Sequence, residues 1–221
     1  MYKHIRYSHL SNYKLRLLIN DWISEIPARE CARRIRVNWK TVLRYYGLIR
    51  KGLAQLPDPP LFSGIVEVDE SYFGSKPHGI YGRGTYGRVP FFGIKERKSG
   101  QVWACIVGSN PNHSVLVPII QERVPPGSLV YSDGFGAYAH LSDAGYQHRV
   151  VNHSKTYVTY DGVHTNGIES FWAYANHHFQ KLRGLPRDRY AEHLKEVIIR
   201  FNTSSRAKLR LLVRRILNRR P

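Results

Sequence analysis

The stretch SGIVEVDESYFG, residues 63–74, decides the fold. Ile65, Val66 and Val68 form the β-branched, apolar run of a buried strand. Glu67, Asp69 and Glu70 interrupt that run with three carboxylates. Carboxylates at the end of a buried strand are costly unless something neutralises them. In strand alternation Glu67 shares the face of Asp69, and Glu70 takes the opposite one. Glu67 and Glu70 are read as charge partners of nearby Arg and Lys, which leaves Asp69 as the acid with a task.

Working outward, VPFFGIKER and QVWACIVG flank residues 98–100 and predict a hairpin. Residues 115–124 read as a short amphipathic helix, and SLVYSDG (128–134) as a second buried strand with Asp133 near its end. A helix is expected over 135–144, a strand in QHRVVNH, and helices over 166–183 and about 187–202. Three strands, helix, strand, helix, strand, helix is the element order of a ribonuclease H-like α/β fold, a mixed sheet flanked by helices. The first and fourth strands are neighbours in that order, so Asp69 and Asp133 converge. In the 166–183 helix, Ile168, Phe171, Trp172, Ala175, Phe179 and Leu182 make the apolar stripe, and Asn166, Glu169, Ala173, Asn176 and Gln180 share another face. Glu169 thus points towards the two aspartates. Three converging carboxylates repel one another without a cation, and the oxygen donors select Mg²⁺ or Mn²⁺, expected as two ions.

The charge is distributed unevenly. Residues 1–52 hold 12 Lys and Arg against 3 Asp and Glu, and residues 205–221 hold 7 against none. The body between them is nearly neutral, with 15 against 13. Basic ends on a neutral body point to a polyanion, and double-stranded DNA is the partner expected. Leu10, Tyr13, Leu17, Leu18 and Trp22 have helical spacing, with Ser11 as N-cap. Two further short helices are expected, over 28–35 and over 39–46, the second ended by Gly47. Cys31, Ala32, Ile35, Val37, Val42 and Tyr45 match the inward positions of a helix-turn-helix. Asn38, Lys40, Thr41 and Arg44 then face outward, able to meet phosphates and base edges. Arg36 stands at the turn, where Gly is common.

These readings divide the chain into a helix-turn-helix domain (1–53), a Pro-rich linker (54–63), a catalytic domain (64–204) and a basic C-terminal helix or tail (205–221). That last segment suits either a DNA backbone or a partner subunit. Arg83 and Arg88, in a Gly-rich basic loop, are further candidates for a DNA strand. Cys31 and Cys105 fit neither a zinc pattern nor a disulfide framework, and no apolar run reaches membrane-spanning length. A cytoplasmic, nucleoid-associated setting is expected.

VEVDESYFG, YSDGFGAY, HTNGIESFW and KLRG…HLKEVIIRFN together resemble bacterial insertion-sequence transposases of the ISXO-like group, over residues 8–204. The resemblance implies metal-dependent cleavage at element ends and strand transfer into target DNA, with Asp69 and Asp133 as the first two acids. It implies Glu169 or Asn166, one helical turn apart, as the third. Joining two ends implies a homodimer or larger assembly on DNA. The family has Lys seven residues after Glu169, whereas this chain has Asn176. His177 or Lys181 is the expected replacement, and His164 an accessory group that touches water or DNA. A nuclease without strand transfer, and a decayed copy acting only as a repressor, remain the alternatives.

Overall fold

The computed structural model describes residues 10–74, 87–109, 111–151, 164–182, 184–203 and 205–218. The chain forms two compact units: residues 58–202, and a second built from residues 1–57 together with 203–221.

In the smaller unit, α1 (Asn12–Ile23) starts where the Ser11 hydroxyl accepts the Lys14 amide, and buries Leu15, Leu18, Ile19 and Trp22. Helix α2 (Ala28–Ile35) ends at Arg36, whose φ of 52° is left-handed. The turn holds because the Val37 amide donates to the Ala32 carbonyl at 3.0 Å and Lys14 Nζ donates to the Arg36 carbonyl, also at 3.0 Å. These bonds answer the cost of about 1–2 kcal/mol that a side chain meets in this conformation. Helix α3 (Trp39–Ala54) does not stop at Gly47 as expected. Tyr45, Tyr46, Ile49 and Leu53 keep one continuous face buried, and this packing outweighs the roughly 1 kcal/mol that Gly costs a helix.

The C-terminal segment, expected as a basic helix or tail, is a helix that groups with the N-terminal residues. Helix α7 (Arg206–Asn218) buries Leu209, Val213 and Leu217 against α1 and α3. A Cβ on Gly52 would fall inside the Ile216 side chain, so the glycine of α3 is what lets α7 lie this close. Arg210 Nε donates to Asn20 Oδ1 at 3.0 Å.

In the larger unit, the strands are β1 (Ile65–Phe73), β2 (Val89–Glu96), β3 (Val102–Ile106), β4 (Leu129–Ser132) and β5 (Gln147–Val150). They form one mixed sheet in the order β3-β2-β1-β4-β5. The β1–β2 and β2–β3 pairs are antiparallel, while β1–β4 and β4–β5 are parallel. One face, with Val66, Val68, Phe92 and Ile94, is covered by α4 (His113–Arg123) and by Tyr138, Leu141 and Tyr146. The other, with Phe73, Phe91, Val102 and Ala104, is covered by α5 (Asn166–Gln180) and α6 (Tyr190–Asn202). The order and strand directions are those of the ribonuclease H-like fold, as expected. The apolar stripe of α5 is buried as its spacing predicts, and its Asn166, Glu169, Ala173, Asn176 and Gln180 are exposed.

The helix expected over 135–144 reduces to one 3-10 turn, Gly136–Tyr138, followed by further turns. Successive i to i+3 bonds (Tyr138 to Phe135, Leu141 to Tyr138) replace a regular helical ladder here, and Ala137, Tyr138 and Leu141 pack on the sheet. Gly145, at φ 88°, then returns the chain to β5.

Candidate active site

Asp69 lies opposite Gly93 in the β1–β2 ladder, on the sheet face that α5 crosses. The missing side chain at Gly93 makes the crossing possible: a Cβ there would stand 2.7 Å from the Trp172 ring. Asp133 directly follows β4, the parallel neighbour of β1. Glu169 sits in the first turn of α5. Each acid has one oxygen held locally. Asp69 Oδ1 accepts the Glu70 amide at 2.8 Å, Asp133 Oδ1 the Phe135 amide at 3.0 Å, and Glu169 Oε1 the Thr165 hydroxyl at 2.8 Å. These bonds fix the planes of the carboxylates before anything binds them.

The acids feel one another. Burial, then the charge of Asp133, then Glu70, push the Asp69 carboxyl up to about 8, with a smaller push from Glu169. Glu70 is the surprise. Among the described residues it has no ion pair with the Arg or Lys expected for it, and it faces the opposite side of the sheet, beside Tyr138 and Asp133. Burial pushes its carboxyl up to about 7, the nearby Tyr138 hydroxyl lowers it, and Asp133 raises it again. Glu70 Oε1 and the Tyr138 hydroxyl are both buried, and neither completes a hydrogen bond of good geometry. No sequence signal marks Glu70, because its neighbour Tyr138 comes from a segment expected to be helical.

Glu67 has a different task. It is 1% exposed and accepts from Arg97 Nε at 2.7 Å and from the Ile168 amide at 2.8 Å. His164 Nδ1 lies 3.6 Å from the same carboxylate, and Arg97 Nη2 donates to the His164 carbonyl at 2.6 Å. Lys95 Nζ donates to the Gly167 carbonyl at 3.1 Å. This knot anchors the N-terminus of α5, where an anion also answers the helix dipole. Gly167 is required there, because its Cβ would meet Glu67 Oε2 at 2.6 Å. The sequence identifies Glu67 as a charge partner, as expected, but not as the group that seats the helix carrying Glu169.

The other candidates scatter. Asn166, Asn176, His177 and Lys181 are exposed on or just beyond α5, and His164 is half-buried against Glu67. Lys40, Arg44 and the half-buried Thr41 lie on α3. Asn38 is exposed, with its Oδ1 capping α3 at the Lys40 amide, 2.9 Å away. Arg29, Arg33, Arg36, Asn38 and Trp39 line an open groove of about 870 Å³ on the α2–α3 turn. Arg88 is exposed, while Arg83 lies outside the described residues.

A second polar cluster, absent from the sequence reading, joins α5 to α6. His178, His193 and Glu196 bring their ligand atoms within 4.8 Å of one another. Glu196 already accepts from Arg200 at 2.8 and 2.9 Å, so the cluster is a neutralised, hydrogen-bonded seam. Among the described residues no trio of acids is gathered so closely.

The sheet order and strand directions define a ribonuclease H-like unit; Asp69 lies within β1, which runs on to Phe73 rather than ending at the acid as expected, while Asp133 directly follows β4 and Glu169 stands in the first turn of the covering helix. The chain belongs to the family of ISXO2-like transposase domains, which matches residues 61–202. It is thereby a transposase-type enzyme of the polynucleotidyl-transferase class. An uncharacterized transposase-like protein of Haemophilus influenzae is 39% identical over 99 residues, covering 45% of this chain and 80% of the relative. The catalytic core of BIV integrase is 12% identical with a TM-score of 0.39, covering 62% of this chain and 82% of that one. The simian T-cell lymphotropic virus intasome, solved with a PP2A regulatory subunit, is 14% identical with a TM-score of 0.41, covering 83% and 67%. The HTLV-2 integrase core in complex with magnesium is 12% identical with a TM-score of 0.39, covering 63% and 84%. Among the described residues no helix is long and apolar enough to cross a membrane.

Proposed function

We propose that this chain is the transposase of an insertion sequence, cutting DNA at the element's ends and joining those ends to target DNA. The observation that supports the reading is the placement of three acids: Asp69 on the β1 face that α5 crosses, Asp133 directly after the neighbouring strand β4, and Glu169 in the first turn of α5, with burial and the other acids pushing the Asp69 carboxyl up. A site that stacks like charges in this way fits a divalent cation, and all-oxygen donors fit Mg²⁺ or Mn²⁺. Asp69, Asp133 and Glu169 would hold it, with Asn166 one turn away on the same exposed face. When bound, two such ions supply Lewis-acid activation and charge neutralisation for phosphodiester displacement. The chain's own contribution is orientation. The Glu70 and Phe135 amides and the Thr165 hydroxyl fix the three carboxylates, while Glu67 and Arg97 seat the helix that brings Glu169. Asp69 must release its proton for the site to load.

The α2–turn–α3 element serves as a helix-turn-helix. Lys40, Thr41 and Arg44 face DNA, Asn38 sets the start of the helix, and Arg88 and Lys181 add phosphate contacts in the catalytic unit. Two ends must be held together for joining, so the working form on DNA is at least a dimer, in the bacterial cytoplasm. Asn176 favours a second reading. It is exposed where relatives of the ISXO-like group place a Lys, so a copy that binds DNA without cutting is the rival.

The test is a plasmid carrying the element, incubated with the protein and Mn²⁺. Cleaved ends and joined products that vanish in Asp69→Asn and in Glu169→Gln support the reading. Cleavage without joined product leaves a nuclease, and binding with no metal-dependent cleavage leaves the repressor.

A further inference from the structure

The smaller unit draws its charge from two segments that the whole catalytic unit separates in sequence. Residues 1–57 carry 12 Lys and Arg against 3 Asp and Glu, and residues 203–221 carry 7 against none. The unit therefore holds net +16 of the chain's +18, leaving +2 for residues 58–202. Two of its three acids are already committed nearby: Asp21 is buried and pairs with Arg34 at 3.1 Å, and Glu30 pairs with Arg33.

Helix α7 is built against its own electrostatics. Leu209, Val213 and Leu217 face inward, while Arg206, Lys208, Arg210 and Arg215 are exposed. Its first turn carries Arg206 and Lys208 and no acid, at the end of the helix dipole that repels cations. Arg206 with Arg210, and Arg210 with Arg214, are like charges one turn apart, and such pairs destabilise a helix. Other helices of the chain place acids in their first turns, Glu30 in α2 and Glu192 in α6. A polyanion laid along the exposed side of α7 removes both penalties.

We infer that the exposed face of α7 is a second contact surface for the phosphate backbone of double-stranded DNA, and that this helix is an integral part of the DNA-binding unit. The inference rests on the reading of that unit as a DNA binder. Contacts of this kind set affinity and salt dependence and carry no sequence information.

The experiment uses the full-length protein and a mixed-sequence duplex of about 40 base pairs, with fluorescence anisotropy from about 50 to 300 mM KCl. The variant is Arg206→Gln/Lys208→Gln/Arg215→Gln, and Arg206→Lys/Arg215→Lys is the charge-retaining control. Circular dichroism melting checks that α7 stays packed in both. The glutamine variant should show a log–log salt slope shallower by about two to three and bind at least about tenfold more weakly at the low-salt end. The lysine control should keep the wild-type slope. A folded glutamine variant with the wild-type slope overturns the inference and leaves the helix-turn-helix reading standing. A wild-type protein without salt-dependent binding overturns both.

Discussion

Replacing Asp69 by Asn should stabilise the metal-free protein, even though Asp69 is proposed as a metal ligand. In the folded chain its carboxyl is pushed up to about 8, from an ordinary value of 3.8. The folded state therefore keeps a proton that the unfolded chain has already lost. Stability from this group is complete below about pH 4 and is lost progressively as pH rises towards 8. Four units at 1.36 kcal/mol each set a ceiling of about 6 kcal/mol. The site is open on one side, so water and relaxation take back part of that, leaving about 2–4 kcal/mol. Asn removes the charge and keeps an oxygen for the Glu70 amide. Urea unfolding in EDTA, followed on the amides of β1 by hydrogen exchange, gives the difference between variant and wild type. It should be near zero at about pH 4 and reach its full value by about pH 8–9. Adding Mn²⁺ should stabilise the wild type more than the variant. A variant no more stable than wild type at pH 8, or a gap that shrinks as pH rises, would refute the reasoning.

Other outcomes follow from the packing. Glu67→Gln should lower stability by about 2–4 kcal/mol, since Arg97 loses a buried partner, and should speed hydrogen exchange at Ile168; unchanged exchange there removes Glu67 as the anchor of α5. Gly167→Ala should cost about 1–3 kcal/mol in thermal unfolding, because its Cβ meets Glu67 Oε2. In an ordinary helix Gly→Ala gains about 1 kcal/mol, yet Gly52→Ala should destabilise the smaller unit by about 1–2, and Ile216→Ala should restore most of the loss in a double-mutant cycle. Burial pushes the Cys31 thiol up to about 11 and the Cys105 thiol up to about 12, so Ellman's reagent at about pH 8 should react with the folded protein far more slowly than with the unfolded chain.

The sheet was legible because its strands alternate between two covered faces and β1 carries its acids at a recognisable place. Strand and helix periodicity put Asp69, Asp133 and Glu169 forward as candidates, and the buried stripe of α5 follows from the same rule. What sequence spacing could not supply was contact between remote groups. Glu67 seats α5 through Ile168, about 100 residues away, and no local pattern announces that bond. Gly47 looks like a helix stop until Ile49 and Leu53 are known to share a buried face. Residues 135–144 place Ala137, Tyr138 and Leu141 at helical spacing, and the chain meets that same spacing with a 3-10 turn and the turns that follow it. The C-terminal segment read as a basic helix or tail with no place to pack, because the helices that pack against α7 lie at the other end of the chain.

That placement gives synthesis an order. A ribosome makes the first three helices, then the entire catalytic sheet, and only afterwards the helix that closes over Gly52. Until then α1 and α3 lack the helix that packs on them, and the nascent protein holds a complete sheet unit and an incomplete helical one. A message cut short before Arg206 would yield a chain with every proposed catalytic acid in place and an N-terminal module prone to chaperones and proteases.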